Sequence, residues 1–131
     1  MTKILVIEDN SDNLTVMEYL LSKNGYSVFT AVDGEKGVAL AKKEMPDLII
    51  CDIQMPILNG FEVVKIVKND TKLQRIPIVA VTAYAMVGDR EKILSAGFNH
   101  YMGKPINPEE FLVEIESILP AELRLTKQKI D

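Results

Sequence analysis

Cysteine and histidine each occur once in this 131-residue chain, and tryptophan is missing. A single cysteine, Cys51, excludes an internal disulfide and a metal site made of cysteines alone. It stands in an apolar run, where a small buried side chain is its ordinary use. The only histidine, His100, has no second histidine or cysteine with which to hold a metal, and it reads as a surface or peripheral residue. No apolar run approaches the ~20 residues of a membrane-spanning helix. No charged-then-apolar leader precedes the first apolar run. The chain is therefore expected to be cytoplasmic and to make no membrane contact. Basic residues are not in excess: 15 Lys and Arg stand against 19 Asp and Glu, a net charge of −4. That balance argues against nucleic acid as a direct partner, because phosphate binding needs a basic face. No Gly-x-x-x-x-Gly-Lys loop occurs, so a nucleoside triphosphatase is not expected. Internal repeats and low-complexity segments are also missing.

What is present is one domain's worth of residues, 47% hydrophobic and 26% charged, as in a soluble globular protein. Short apolar runs alternate with helical spacing throughout. Strands are predicted over Lys3 to Ile7, Tyr26 to Ala31, Asp47 to Cys51, Pro77 to Val81 and Phe98 to Met102. Between them lie predicted helices. The first runs from Ser11 to Lys23, with Ser11 or Asp12 as N-cap and Gly25 as its stop. The second follows the Asp33-Gly34 turn and ends at Pro46. The third opens at Asn59-Gly60, and the fourth covers Val87 to Ala96 before Gly97. The fifth has Asn107 as N-cap and Pro108 at its first position and runs to Leu119. Five such units imply an α/β fold: a doubly wound, five-stranded parallel sheet of order 2-1-3-4-5 in a flavodoxin-like three-layer sandwich. The domain is expected over 1–119. Residues 120–131 are expected as a short, frayed or helical tail with no output domain, and nothing supports a docking role for Leu123 or Leu125.

The first and third strands both stop in carboxylates, Glu8-Asp9 and Asp52. In this strand order they are neighbours at the switch point where open α/β sheets bind ligands. Crowded carboxylates raise one another's pKa unless a cation sits among them. Thr82 ends the fourth strand, and the fifth leads through Gly103 to Lys104-Pro105, so these residues are expected to face the same pocket. Grouped carboxylate oxygens suit a hard divalent ion, Mg²⁺ best. With a hydroxyl and an ammonium nearby they make a phosphoryl-transfer site, in which one Asp can serve as nucleophile. Each residue alone has an ordinary reading, as a turn residue, a strand end or an exposed lysine; their arrival at one edge is what favours the site.

Glu8-Asp9, Asp52-x-x-Met55-Pro56-x-x-x-Gly60, Thr82-Ala83 and Lys104-Pro105, in this order and at these strand ends, resemble a response-regulator receiver domain over about residues 3–119. The stretch from Val81 to Glu91 looks most like receivers of hybrid kinases and of DivK-type stand-alone regulators. The resemblance implies a signalling protein, not an enzyme beyond its own phosphorylation and dephosphorylation. Asp52 would be the phosphoacceptor, with Lys104 and Thr82 acting on the phosphate. Mg²⁺ would be held by Asp9, Asp52 and the Gln54 carbonyl, with Glu8 acting mainly through water. Gln54 and Tyr84 side chains would influence acyl-phosphate lifetime. Thr82 and Tyr101 would be the switch pair, and Pro105 would follow a cis bond. The family often has Asp where this chain has Glu8.

His100 should face away from its neighbour Tyr101 and reads as peripheral, so the phosphoryl group is expected from another protein's histidine, on this resemblance a sensor histidine kinase or a histidine phosphotransfer protein, or from a small phosphodonor. The output is a changed protein contact on the face of the fourth helix, fifth strand and fifth helix, near Met86, Val87 and Ile93. The protein would be a monomer or a phosphorylation-dependent dimer. Three rivals remain. A flavodoxin-type FMN carrier would need a phosphate loop where this chain has Glu8-Asp9-Asn10-Ser11-Asp12. A haloacid dehalogenase-type aspartyl-phosphate phosphatase would need an acid where this chain has Gln54. A docking-only receiver would lack some of the key residues.

Overall fold

The computed structural model describes residues 1–83 and 87–125, with the backbone alone for Val87 and Gly88. Five strands, β1 (Lys3–Ile7), β2 (Ser27–Ala31), β3 (Leu48–Asp52), β4 (Ile78–Thr82) and β5 (His100–Gly103), alternate with five helices. The helices are α1 (Ser11–Lys23), α2 (Gly34–Glu44), α3 (Gly60–Lys68), α4 (Val87–Ser95) and α5 (Pro108–Ile118). The sheet is parallel in the order β2-β1-β3-β4-β5. This is the doubly wound fold expected from the pattern.

The central strands read as near-continuous apolar runs because both of their faces are covered. Leu5, Ile7, Ile49, Cys51, Ile78 and Ala80 point to the side of α2, α3 and α4, where Val38, Val63 and Ile93 meet them. Ile4, Val6, Leu48, Ile50, Val79 and Val81 point to the side of α1 and α5, against Met17, Leu21, Phe111 and Ile115. Cys51 is fully buried, and its burial pushes the thiol well above its ordinary pKa, with the charges of Asp52 and Glu8 adding to the effect.

Local chemistry sets the element ends, with small departures from the sequence reading. The cap of α1 is Asn10, one residue before the expected Ser11 or Asp12; its side chain accepts from the Asn13 N–H. That places the helix start immediately after the acidic pair. Asn59 and Glu62 form a reciprocal capping box on α3. Asn107 caps α5, with Pro108 as its first residue. The second helix stops at Glu44, and Met45 is its left-handed, exposed C-cap rather than a core residue.

Residues 120–125, expected as a frayed or helical tail, make a 3₁₀ turn at Ala121–Leu123 and pack back on the domain. Leu123 and Leu125 join the apolar cluster beneath α1 and α5. The Thr2 hydroxyl donates to the Leu123 carbonyl at 2.8 Å, and the Leu125 N–H donates to the Tyr26 hydroxyl oxygen at 3.0 Å. Tyr26, only 4% exposed, donates in turn to the Glu116 carboxylate of α5. Burial first, and then the Glu116 bond, push the Tyr26 hydroxyl up to about 12. Tyr26→Phe strips a partner from both the buried Glu116 and the Leu125 amide. It is expected to cost about 1–3 kcal/mol in urea unfolding at neutral pH. The wild-type contribution is full below about pH 10 and is lost as pH rises towards 12, because the folded state favours the protonated phenol.

Candidate functional site

Four strand ends supply the site. Glu8 follows β1, Asp52 closes β3, Thr82 closes β4 and Lys104 follows β5. Direct pairing of β1 with β3, Ile7 against Cys51, sets Glu8 beside Asp52. Glu8, Asp9 and Asp52 each bring a carboxylate oxygen within 4.8 Å of the others. Glu8 and Asp52 are 0% and 4% exposed, whereas Asp9 is exposed. Lys104 reaches across from the β5 side. Its ammonium donates to Glu8 Oε2 at 3.1 Å and to Asp52 Oδ2 at 3.2 Å. The Lys104 N–H is tied to the Thr82 carbonyl at 2.9 Å, and the Lys104–Pro105 peptide is cis.

The electrostatics follow from this crowding. Burial, then the Asp52 charge, push the Glu8 carboxyl up from 4.5 to about 7; the Asn10 N–H at 3.1 Å and Lys104 pull it partly back. Burial lowers the Lys104 ammonium, but Asp52 and Glu8 outweigh it and hold Lys104 above its ordinary pKa. Glu8 Oε1 is buried and has no hydrogen-bond partner among the described residues. Among the described residues, one orphaned buried oxygen and three converging carboxylates beside the Lys104 ammonium make a donor set that could hold a hard divalent cation.

A stability prediction follows. Glu8 binds a proton more tightly folded than unfolded, so between about pH 4.5 and 7 its contribution falls as pH rises, by roughly 2 kcal/mol across the window. Urea unfolding of metal-free protein at about pH 5 and pH 7.5 reads this. Glu8→Gln should flatten the slope, and millimolar Mg²⁺ should restore stability at the higher pH. A wild-type slope unchanged in the Gln variant would assign the effect to another group.

Thr82 is fully buried. Ala80 pairs with Tyr101 and Thr82 with Gly103, so Thr82, Ala80 and the Tyr101 ring lie on one face of the sheet. Tyr101 is half-buried against the cluster containing Ala80 and Ile93. The Arg90 guanidinium of α4 lies 5.7 Å from its ring centre, a contact the sequence did not suggest. His100 faces the other way and meets Glu114 of α5 at 3.0 Å. Gln54 is exposed, and its N–H donates to Asp52 Oδ1 at 3.3 Å. Tyr84, Met86 and the Val87 side chain lie outside the described residues. Asn10 is the residue that sequence reasoning missed; an asparagine directly after two acids and before a helical run was the available signal. Beside the site, a groove of about 630 Å³ runs between the β3–α3 loop and α4, lined by Ile53, Met55, Pro56, Phe61 and Ile93 among others. None of the clustered carboxylates lines it; its own charged residues are Asp89 and Lys92 of α4, so the acid cluster lies outside the groove.

The family profile described as response regulator receiver domain matches residues 4–116. The polar-differentiation response regulator DivK of Brucella ovis is 41% identical over 120 residues, covering 91% of this chain and 98% of that protein. Among solved structures, Vibrio cholerae chemotaxis protein CheY4 superposes with a TM-score of 0.86 at 32% identity, covering 91% and 99% of the two chains. The receiver domain of the Pseudomonas aeruginosa sensor histidine kinase PA1611, solved with magnesium coordinated in its active-site cleft, superposes with a TM-score of 0.81 at 36% identity, covering 88% and 95%.

Proposed function

Because this chain belongs to the response-regulator receiver domain family of two-component signalling, we propose that Asp52 accepts a phosphoryl group from a histidine-bearing protein. The observation that carries the reading is Lys104: one ammonium bonded to both buried carboxylates at the end of the sheet, with Asp9 alongside. A half-buried lysine so placed compensates the charge already there and stands ready to meet a phosphoryl oxygen. In the reaction an Asp52 carboxylate oxygen bonds to phosphorus as the phosphorus–nitrogen bond of phosphohistidine breaks. The bonding pair stays on the ring nitrogen. With the other ring nitrogen protonated, the departing histidine is neutral.

Asp9 and Asp52, with the Gln54 carbonyl, would hold Mg²⁺, and Glu8 would act from behind them. The ion supplies positive charge against the phosphoryl oxygens. Asp52 thus has two roles, ligand and nucleophile, while Lys104 neutralises the product. Gln54 stands two residues after Asp52, where a haloacid dehalogenase-type phosphatase would need a carboxylic acid to turn over. The proposed partners are a sensor histidine kinase or histidine phosphotransfer protein as donor, and a protein as target. Incubation with phosphoramidate and Mg²⁺, followed by intact mass and peptide mapping, is the test. One phosphoryl group on Asp52 is expected; a wild-type mass that does not change would sink the reading.

The proposed switch uses the shared face of Thr82 and Tyr101. The added phosphate, about −1.5 to −2 in charge, attracts the Thr82 hydroxyl. The Tyr101 ring turns into the space behind it, leaving Arg90 and remodelling the α4–β5–α5 face. Tyr101→Ala is expected to take up phosphoryl at the wild-type level but to lose the phosphorylation-dependent rise in target affinity. Titration of the target against both proteins, with and without phosphorylation, checks this; an undiminished rise would remove Tyr101 from the switch.

A further inference from the structure

Ile57 is held in a backbone conformation that β-branched residues rarely adopt. Its φ is +73°. The Leu58 N–H donates to the Pro56 carbonyl, two residues back, at 2.8 Å. Together these make a γ-turn of the strained, positive-φ kind. Asparagine or glycine would take the same turn at less cost. Among the described residues no apolar packing repays isoleucine here: its side chain is 68% exposed and belongs to neither apolar cluster. The loop that displays it is fixed on both sides. Met55 is 9% exposed, Leu58 packs on the core, and the Gly60 N–H donates to the Ile53 carbonyl at 2.8 Å.

Val32, 50% exposed, stands in the adjoining β2–α2 loop. The start of α2, two residues on, touches the β3–α3 loop: a Cβ at Gly34 would fall 2.5 Å from the Leu58 carbonyl oxygen. Both loops leave strand C-termini, at the edge that carries the acids. Exposed apolar side chains thus stand on two loops of the edge that carries the buried carboxylates, and Ile57 stands there at an energetic cost.

We propose that Ile57 is a specificity-determining contact for the protein phosphodonor. The proposal rests on the reading of Asp52 as phosphoacceptor and names what recognises the donor. Asp52 is 4% exposed and bonded to Lys104. A phosphohistidine carried on a protein reaches it only when the donor's own surface covers the rim of surrounding loops, Ile57 included. The donor patch that meets Ile57 is apolar and uncharged. A small phosphodonor covers no such area.

The experiment compares wild type, Ile57→Gly and Ile57→Asn, which keep the turn. Each is phosphorylated by phosphoramidate and by a panel of purified histidine kinases and phosphotransfer proteins autophosphorylated from radiolabelled ATP. The fastest donor to the wild type is then used for all three proteins. The ratio of protein-donor rate to phosphoramidate rate is expected to fall roughly tenfold or more in both variants. The unfolding equilibrium constant is expected to fall roughly fivefold in the variants, as strain is relieved. A ratio within about twofold of wild type overturns the proposal. So does a panel in which no histidine protein phosphorylates a wild type that phosphoramidate does phosphorylate. A wild type that phosphoramidate fails to phosphorylate would instead count against Asp52 as acceptor.

Discussion

Asp52→Asn is expected to take up no phosphoryl group from phosphoramidate and, in the same protein, to raise the stability of the metal-free fold. The first effect is chemical. An amide is a poor nucleophile at phosphorus, so the substitution removes the proposed acceptor oxygen while leaving Glu8, Asp9 and Lys104 in place. The second effect is electrostatic. The Asp52 charge is one of the two causes that push Glu8 up to about 7, the other and larger being burial. Removing that charge leaves Glu8 paired with Lys104 alone, a one-to-one pair in place of two acids on one ammonium. A gain of about 1 kcal/mol near neutral pH is the expected scale. Mg²⁺ should narrow the gap, because the wild type offers the ion one more carboxylate and gains more stability from binding it. Intact mass and urea unfolding with and without Mg²⁺ measure both effects. A phosphoryl group that still appears on the Asn variant would place the acceptor elsewhere.

Gly60→Ala is expected to lose at least about 3 kcal/mol of stability and to slow phosphorylation. A Cβ at Gly60 would fall 2.5 Å from the Asp52 carbonyl oxygen and 2.7 Å from the Ile53 Cα. Both are backbone atoms, so no side-chain rotation relieves the contact. In a helix interior Ala is favoured over Gly by about 1 kcal/mol, and the Asn59–Glu62 capping box would survive the change. The clash therefore decides the sign against a modest opposing gain. To relieve it, the start of α3 must move away from the end of β3, breaking the Gly60 N–H bond to Ile53 and displacing the backbone that aims Asp52. Urea unfolding and the phosphoramidate rate report the two consequences. A variant as stable as wild type would mean that the helix start moves freely.

Much of this was written in local pattern. Apolar runs of strand length punctuated by Gly, Pro and Asn specify the units, and right-handed crossovers leave few ways to assemble them. Strand ends then carry Glu8, Asp9, Asp52, Thr82 and Lys104 to one edge, because in a parallel sheet all C-termini share it. The errors were local also. Ser11 and Asp12 cap as well as Asn10 on propensity, and only the position of the first turn decides between them. Residues 120–125 showed no periodicity, since their order comes from Thr2 and Tyr26, which are far away in the chain.

The carboxylates after the first and third apolar runs, and the topology that makes those runs neighbours, were determined by sequence alone, because hydrophobic period and connection handedness are short-range rules. Only the tertiary structure decided which acid is buried and which exposed, that one ammonium serves two carboxylates, and that Glu8 keeps an oxygen without a partner among the described residues. It also decided that Ile57 stands strained and exposed beside them. Burial and charge compensation depend on what the rest of the chain packs around a group, and that packing is a sum over distant residues which no local spacing encodes.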